Sequence, residues 1–172
     1  MKKNNSAIVV FTSDSVDKIV NDRGSGDWVV SAKKADRCEY LVCCRKPNWS
    51  NRKEGIPGRA AFLIGRVAGL IERADSKNSR DQMRYLIRMA DFAKLEKPGV
   101  WKDKVRNPIA YSTLDELQID LRGLKFKPMP ELDAETAKNI PGAKQMTIAD
   151  AKNGLALTFG VSADDIEIII RG

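Results

Sequence analysis

Apolar positions in this chain fall into short β-branched runs, separated by polar segments rich in glycine and proline. Ala7–Thr12 is such a run and reads as a first strand. Ser13, Asp14 and Ser15 then offer caps for a short helix carrying Val16, Ile19 and Val20, which stops near Gly24. Gly24–Asp27 reads as a turn, Trp28–Ser31 as the start of another strand, and Lys33–Arg37 as a charged link. Tyr40–Arg45 is a third strand. Ala60–Ile71 is the most apolar segment, and its internal Gly65 and Gly69 favour a long bent strand over a helix. Met83–Leu95 fits a helical face as well as a strand. Pro98, just beyond it, tilts the reading to strand.

Beyond these runs the pattern weakens. Ala74–Arg80 is polar and reads as an exposed turn, Leu114–Leu117 as one helical turn after Ser112 or Thr113, and Phe126–Pro130 as a proline-bounded extended piece. Leu132–Gly142 is a polar linker, after which the pattern changes. Thr147-Ile148-Ala149-Asp150 forms a capping box. The helix it opens places Ile148, Ala151, Leu155 and Phe159 on one side and ends at Gly160. Asp164–Arg171 then alternates as a strand, with Ile166, Ile168 and Ile170 on one face. The expected organisation is a main domain over 1–130, a linker over 131–146 and a helix–strand extension over 147–172. That extension is too small to fold alone, so it docks on the main domain or pairs with a second copy; a homodimer through it is one expectation.

One loop departs from this ordinary pattern. Arg45–Arg59 carries five cations (Arg45, Lys46, Arg52, Lys53 and Arg59) against one glutamate, with Trp49 at its centre and four Pro/Gly residues. A second segment, Trp101–Arg106, repeats the theme with Lys102, Lys104 and Arg106. Lysine and arginine neutralise phosphates, an indole face stacks a base, and Asn48 or Asn51 can read a base edge. If the two loops meet, Trp49 and Trp101 can clamp an unpaired or flipped base. The competing reading makes both tryptophans half-buried plugs of the core with cations solvated around them. Trp28, opening a strand after Gly-Asp, fits core packing better.

Charge supports a polyanionic partner for the first two thirds of the chain. Residues 1–110 hold 23 Lys/Arg and 13 Asp/Glu, whereas residues 111–172 hold 7 and 10. The positive field therefore belongs to the part that carries both basic loops. At 42% hydrophobic and 31% charged residues, the 172-residue chain reads as an ordinary globular protein with one sizeable core. No apolar run approaches the length needed to cross a bilayer. Met1–Ser6 leads into a run too short for a signal-peptide core, so the expected location is the cytoplasm, with no membrane partner.

The chain has no histidine, which excludes Ser–His and Cys–His nucleophile pairs and histidine bases. Cys38, Cys43 and Cys44 lie within seven residues, but the adjacent pair points to opposite faces of a strand and cannot readily share a metal. They read as reduced, buried thiols, and neither a metal nor a cofactor is expected. No phosphate-binding glycine motif and no acidic pair followed by Glu-x-Lys is present.

Gly26-Asp27-Trp28-Val29-Val30-Ser31, then Tyr40–Arg45, then Ala61-Phe62-Leu63-Ile64-Gly65-Arg66-Val67, resembles the strand order of PUA-like β-barrels of the EVE, ASCH and YTH branch. Arg84–Met89 resembles the following strand, and Asn107-Pro108-Ile109 the link after it. The resemblance covers roughly residues 7–130. It lacks the ASCH Gly-x-Lys-x-x-Glu-x-Arg motif and a complete three-aromatic cage. It implies an α+β fold: a mostly-β, partly open barrel with short flanking helices, binding RNA or modified DNA bases in a cleft. Tyr40, Asp27 and Glu39 are the candidate pocket residues. The expected function is non-catalytic nucleic-acid recognition. Two alternatives stay open: a metal-dependent enzyme on the same barrel working through Asp27 and Glu39, and a protein-interaction module of phage or defence type using residues 147–172.

Overall fold

The computed structural model describes residues 5–48, 51–73, 82–102, 107–130 and 147–168. The chain divides into two compact units, Met1–Glu131 and Leu132–Gly172. The first is a mixed α+β unit, mostly sheet, with few short helices. Its strands are β1 (Ser6–Thr12), β2 (Gly24–Trp28), β3 (Tyr40–Arg45), β4 (Ala61–Arg73), β5 (Arg84–Lys97), β6 (Ile109–Thr113) and β7 (Lys127–Pro128). Two short helices, α1 (Val16–Asn21) and α2 (Ala32–Ala35), lie between β1 and β3. The strands form one open sheet in the order β2-β5-β4-β3-β1-β6, with β7 pairing β5 beside β2.

The centre of the sheet explains its apolar runs. β1 and β3 pair in parallel, Ile8 against Leu41 and Val10 against Cys43, and β1 pairs antiparallel with β6 on its other side. Both central strands are covered on both faces, so they read as continuous apolar runs rather than alternating ones. On one face Ile8, Val10, Leu41, Cys43, Ile87 and Met89 pack with Ile19 of α1. On the other, Ala7, Val9, Val42, Ala61 and Ala93 are small enough to admit Trp101 and the turn residues Leu114 and Ile119. α1 begins where Ser15 Oγ accepts the Lys18 N–H at 3.0 Å, with Asp17 in its first turn.

β4 and β5 form a long antiparallel ribbon with three register shifts, which bend it as the two glycines of β4 suggest. Met83–Leu95 therefore resolves largely into the strand β5. Three segments differ from expectation. The second strand occupies Gly24–Trp28 itself, because Gly24 lies flat against β5 where a side chain would not fit, and its register shifts before Trp28. The charged link 33–37 winds into α2 with Ala35 buried. Asn107 and Pro108 are a link as expected, but Ile109 already opens a strand, β6, that runs to Thr113. The 74–80 turn falls outside the described residues.

In the second unit α3 (Ile148–Phe159) ends at Gly160, whose φ of 68° places it in the left-handed region; its N–H donates to the Ala156 carbonyl at 2.8 Å. The strand expected over 164–171 is not formed where it is described. Ser162 Oγ accepts the Asp164 N–H and caps a 3-10 turn at Ala163–Asp165, and residues 166–168 are irregular. Local capping overrides the alternation of isoleucines there. Pairing of two copies through that strand accordingly has no strand to rest on over 164–168.

The cysteines are free thiols, Cys43 and Cys44 buried and Cys38 half-buried. Burial pushes the Cys44 thiol up to about 12 and Cys43 higher still, where the Cys44 and Asp14 charges add and Arg45 opposes. An unfolded thiol ionises near 9.0. The unfolded chain thus loses protons that the fold retains, and stability falls as pH rises from about 9 towards 12. Iodoacetamide at pH 8 followed by mass spectrometry should label Cys38 first and all three only in denaturant. Rapid native labelling of Cys43 or Cys44 would contradict this burial.

Candidate nucleic-acid interface

The basic loop leaves β3 at Arg45 and returns to β4 through a chain of backbone hydrogen bonds. Arg45 N–H donates to Ala60 C=O at 2.9 Å, and Arg59 N–H donates to Arg45 C=O at 2.8 Å. Arg59 holds a left-handed φ of 67°. Its carbonyl accepts the Trp101 N–H at 3.1 Å. The two basic segments of the sequence are therefore joined by a main-chain hydrogen bond.

Within this junction the expected residues divide sharply. Lys46, Arg52, Lys53 and Lys102 are exposed, as are Asn48 and Arg59. Lys46, Arg52 and Lys53 form no ion pair among the described residues. Trp49, Lys104 and Arg106 lie outside the described residues.

Arg45, Asn51 and Trp101 point inward and hold the frame instead of facing a ligand. Arg45 is 1% exposed. Its Nη1 donates to the Asp14 carbonyl at 2.7 Å, its Nη2 pairs with Glu54, and the guanidinium lies 4.1 Å from the Phe62 ring centroid. Burial lowers its pKa, against the Glu54, Cys43 and Asp14 charges that raise it.

Asn51 is consumed by the loop itself. Its side-chain NH2 donates to Lys46 C=O (2.9 Å) and Ser13 C=O (3.1 Å), its Oδ1 accepts the Asn48 N–H, and its own N–H donates to Asn48 Oδ1 (2.8 Å). That leaves no group to read a base edge. Trp101 is buried and stacks on Phe11, ring centroids 4.9 Å apart and planes 1° off parallel. Its face is taken, so the two-tryptophan clamp loses this half.

Tyr40, Glu39 and Asp27 do not form one pocket with the loop. Tyr40 begins β3 and Glu39 precedes it, while the loop leaves from the far end of that strand, about 17 Å away at strand rise. Tyr40 packs in the core beside Ala7, Val9 and Val42. Asp27 lies near the end of β2, exposed, with φ 63° and its carbonyl accepting from Arg84.

A cavity of about 620 Å³ opens beside the junction, bordered by Trp101, Lys97, Lys102, Glu116 and Gln118. Ser112 Oγ and the Thr113 N–H donate to the Glu116 carboxylate and hold its pKa below the usual range, with a further contribution from Lys102. Sequence reasoning missed Lys97 and Glu116 because nothing in their own neighbourhoods marks them. They meet Trp101 only through the sheet order. Among the described residues no group of three or more His, Cys, Asp or Glu side chains comes together as a metal site, and no helix is long and apolar enough to cross a membrane.

No family model, curated protein or solved structure matches the chain.

Proposed function

We propose that the chain binds nucleic acid without catalysis, at the junction of the 46–59 loop and the 97–102 segment, on a PUA-like sheet. The observation that carries this reading is the Trp101 N–H to Arg59 C=O hydrogen bond, which joins the two basic segments at one rim. Lys46, Arg52, Lys53 and Lys102 are exposed there for phosphates. Trp49, in the same loop, is the stacking residue of the proposal. The cavity beside Trp101 falls within the size range of small-ligand sites and has room for an unstacked base. Trp101 serves the site as an anchor of the 97–102 segment.

The test is a salt series with labelled single- and double-stranded DNA and RNA. Wild-type affinity should fall steeply with salt, and Lys46→Ala/Arg52→Ala/Lys53→Ala should flatten the slope by about 2–3 units. Trp49→Ala should cost about 1–3 kcal/mol. No binding at about 0.1 M salt would sink the proposal.

A second reading rests on α3. Its Ile148 and Phe159 are 56% and 71% exposed, and with Leu155 they share one helical face. Such a face suits a protein partner. Deleting residues 147–172 would then abolish partner binding and leave the sheet unit folded.

A further inference from the structure

The outer side of β5 changes partner along its length. β2 covers it from Tyr85 to Arg88, and β7 at Asp91 and Phe92. Past Phe92 no strand pairs with that side among the described residues. Two cavities run in sequence along this stretch, between β5 and α1. The first, about 510 Å³, is floored by Val16, Val20, Phe92 and Leu124 and rimmed by Lys125 and Lys127. The second, about 420 Å³, is floored by Ile56, Pro57 and Phe62 and rimmed by Glu54 and Glu96. Val16, Asp17 and Lys94 border both, so the two make one trough beside residues 92–96. That stretch is about 13 Å long at strand rise.

An open strand edge invites another strand, but this one is guarded. Lys94 and Glu96 are exposed charges on it, Lys97 follows, and the β4–β5 register shifts opposite it between Ala61 and Leu63. Charges and bulges are the usual means by which edges refuse strand addition. The trough therefore suits a slender ligand better than a peptide strand. Its polarity says which. Lys94, Lys125 and Lys127 form no ion pair among the described residues, and Asp17 is the one acid bordering the first cavity with them. At the other end Glu96 and the Arg45-paired Glu54 repel a negative head group.

We propose that this trough binds an elongated organic anion with an aliphatic body. The acid group sits at Lys94, Lys125 and Lys127, and the chain lies over Val16 and Phe92 towards Phe62 and Ile56. Lys125-x-Lys127 on an extended segment puts both ammonium groups on one side, a signal present in the sequence but unremarkable until α1 and β5 supply the floor.

Decanoate below its micellar concentration, with neutral decanol as its partner probe, tests this on the full chain. Decanoate should bind about tenfold tighter than decanol. Lys125→Gln/Lys127→Gln, two exposed positions, should remove most of that preference and leave decanol binding unchanged. Amide shifts should be confined to residues 16–20, 54–62, 92–96 and 124–127. Lys46→Ala/Arg52→Ala/Lys53→Ala should not alter decanoate binding, which separates this site from the nucleic-acid interface. Equal binding of acid and alcohol, shifts centred elsewhere, indifference to the lysine pair, or no binding of decanoate would each overturn the assignment.

Discussion

Alanine at position 45 is expected to destabilise the sheet unit by about 3 kcal/mol, read as a shift in the urea midpoint followed by tryptophan fluorescence. Arg45 is the largest fully buried side chain described, and it is charged. Its removal strips Glu54 of its ion partner and the Asp14 carbonyl of a donor, and leaves a void against Phe62. Breaking a buried pair typically costs about 3–5 kcal/mol. Glu54 keeps 26% of its side-chain surface, so water recovers part of its solvation and the low end applies. Lysine should rescue little, because a single ammonium cannot reach a carbonyl and a carboxylate in the forked geometry and stack on a ring as well. A loss below about 1 kcal/mol would mean the pair contributes like a surface bridge.

The same variant separates framing from contact at the proposed interface. Arg45 holds the loop that presents Lys46, Arg52 and Lys53, but its guanidinium is enclosed. Arg45→Ala should therefore weaken nucleic-acid binding without changing its salt slope, since the number of neutralised phosphates stays the same. A reduced slope would place Arg45 on a phosphate.

Much of the sheet was legible because its central strands are buried on both faces and so declare themselves by composition alone. Ala7–Thr12, Tyr40–Arg45 and the first half of Ala60–Ile71 are such segments, and their strands lie within a residue or two of those limits. β2 was hidden because Gly24-Ser25-Gly26-Asp27 has turn chemistry. Its strand character comes from the surface of β5, not from its own propensity. The 164–168 segment failed for the opposite reason, a local cap outweighing a periodic pattern.

At the site, charge and loop position were readable, and side-chain direction was not. Arg45 and Asn51 sit in the most basic stretch of the chain, yet both turn inward, because enclosed carbonyls there need donors: Asp14 takes one from Arg45, and Lys46 and Ser13 take theirs from Asn51. The pairing of Trp101 with Phe11 depends on small residues at positions 7, 61 and 93 of three different strands, a conjunction visible only in three dimensions.

Gly65→Ala is expected to cost at least about 3 kcal/mol, and Gly24→Ala less, although both meet backbone that cannot yield. A Cβ on Gly65 would overlap Met89 Sδ and approach the Asp91 carbonyl oxygen at 2.5 Å. A Cβ on Gly24 would overlap the Ile87 carbonyl oxygen and lie 3.0 Å from the Arg88 Cα. The difference lies in what each strand can do about it. Gly65 belongs to β4, held between β3 and β5, so relief there must break ladders on both sides or push Met89 from the core. β2 lies at the end of the sheet and pairs with β5 alone, so it can peel away at the expense of a few ladder hydrogen bonds. Urea melts should therefore show a large midpoint shift for Gly65→Ala. For Gly24→Ala, hydrogen exchange should show lost protection confined to β2 and to β5 near Arg88, with β1 and β3 still slow. Equal global losses would mean that β2 unfolds together with the sheet centre, making it part of a single cooperative unit.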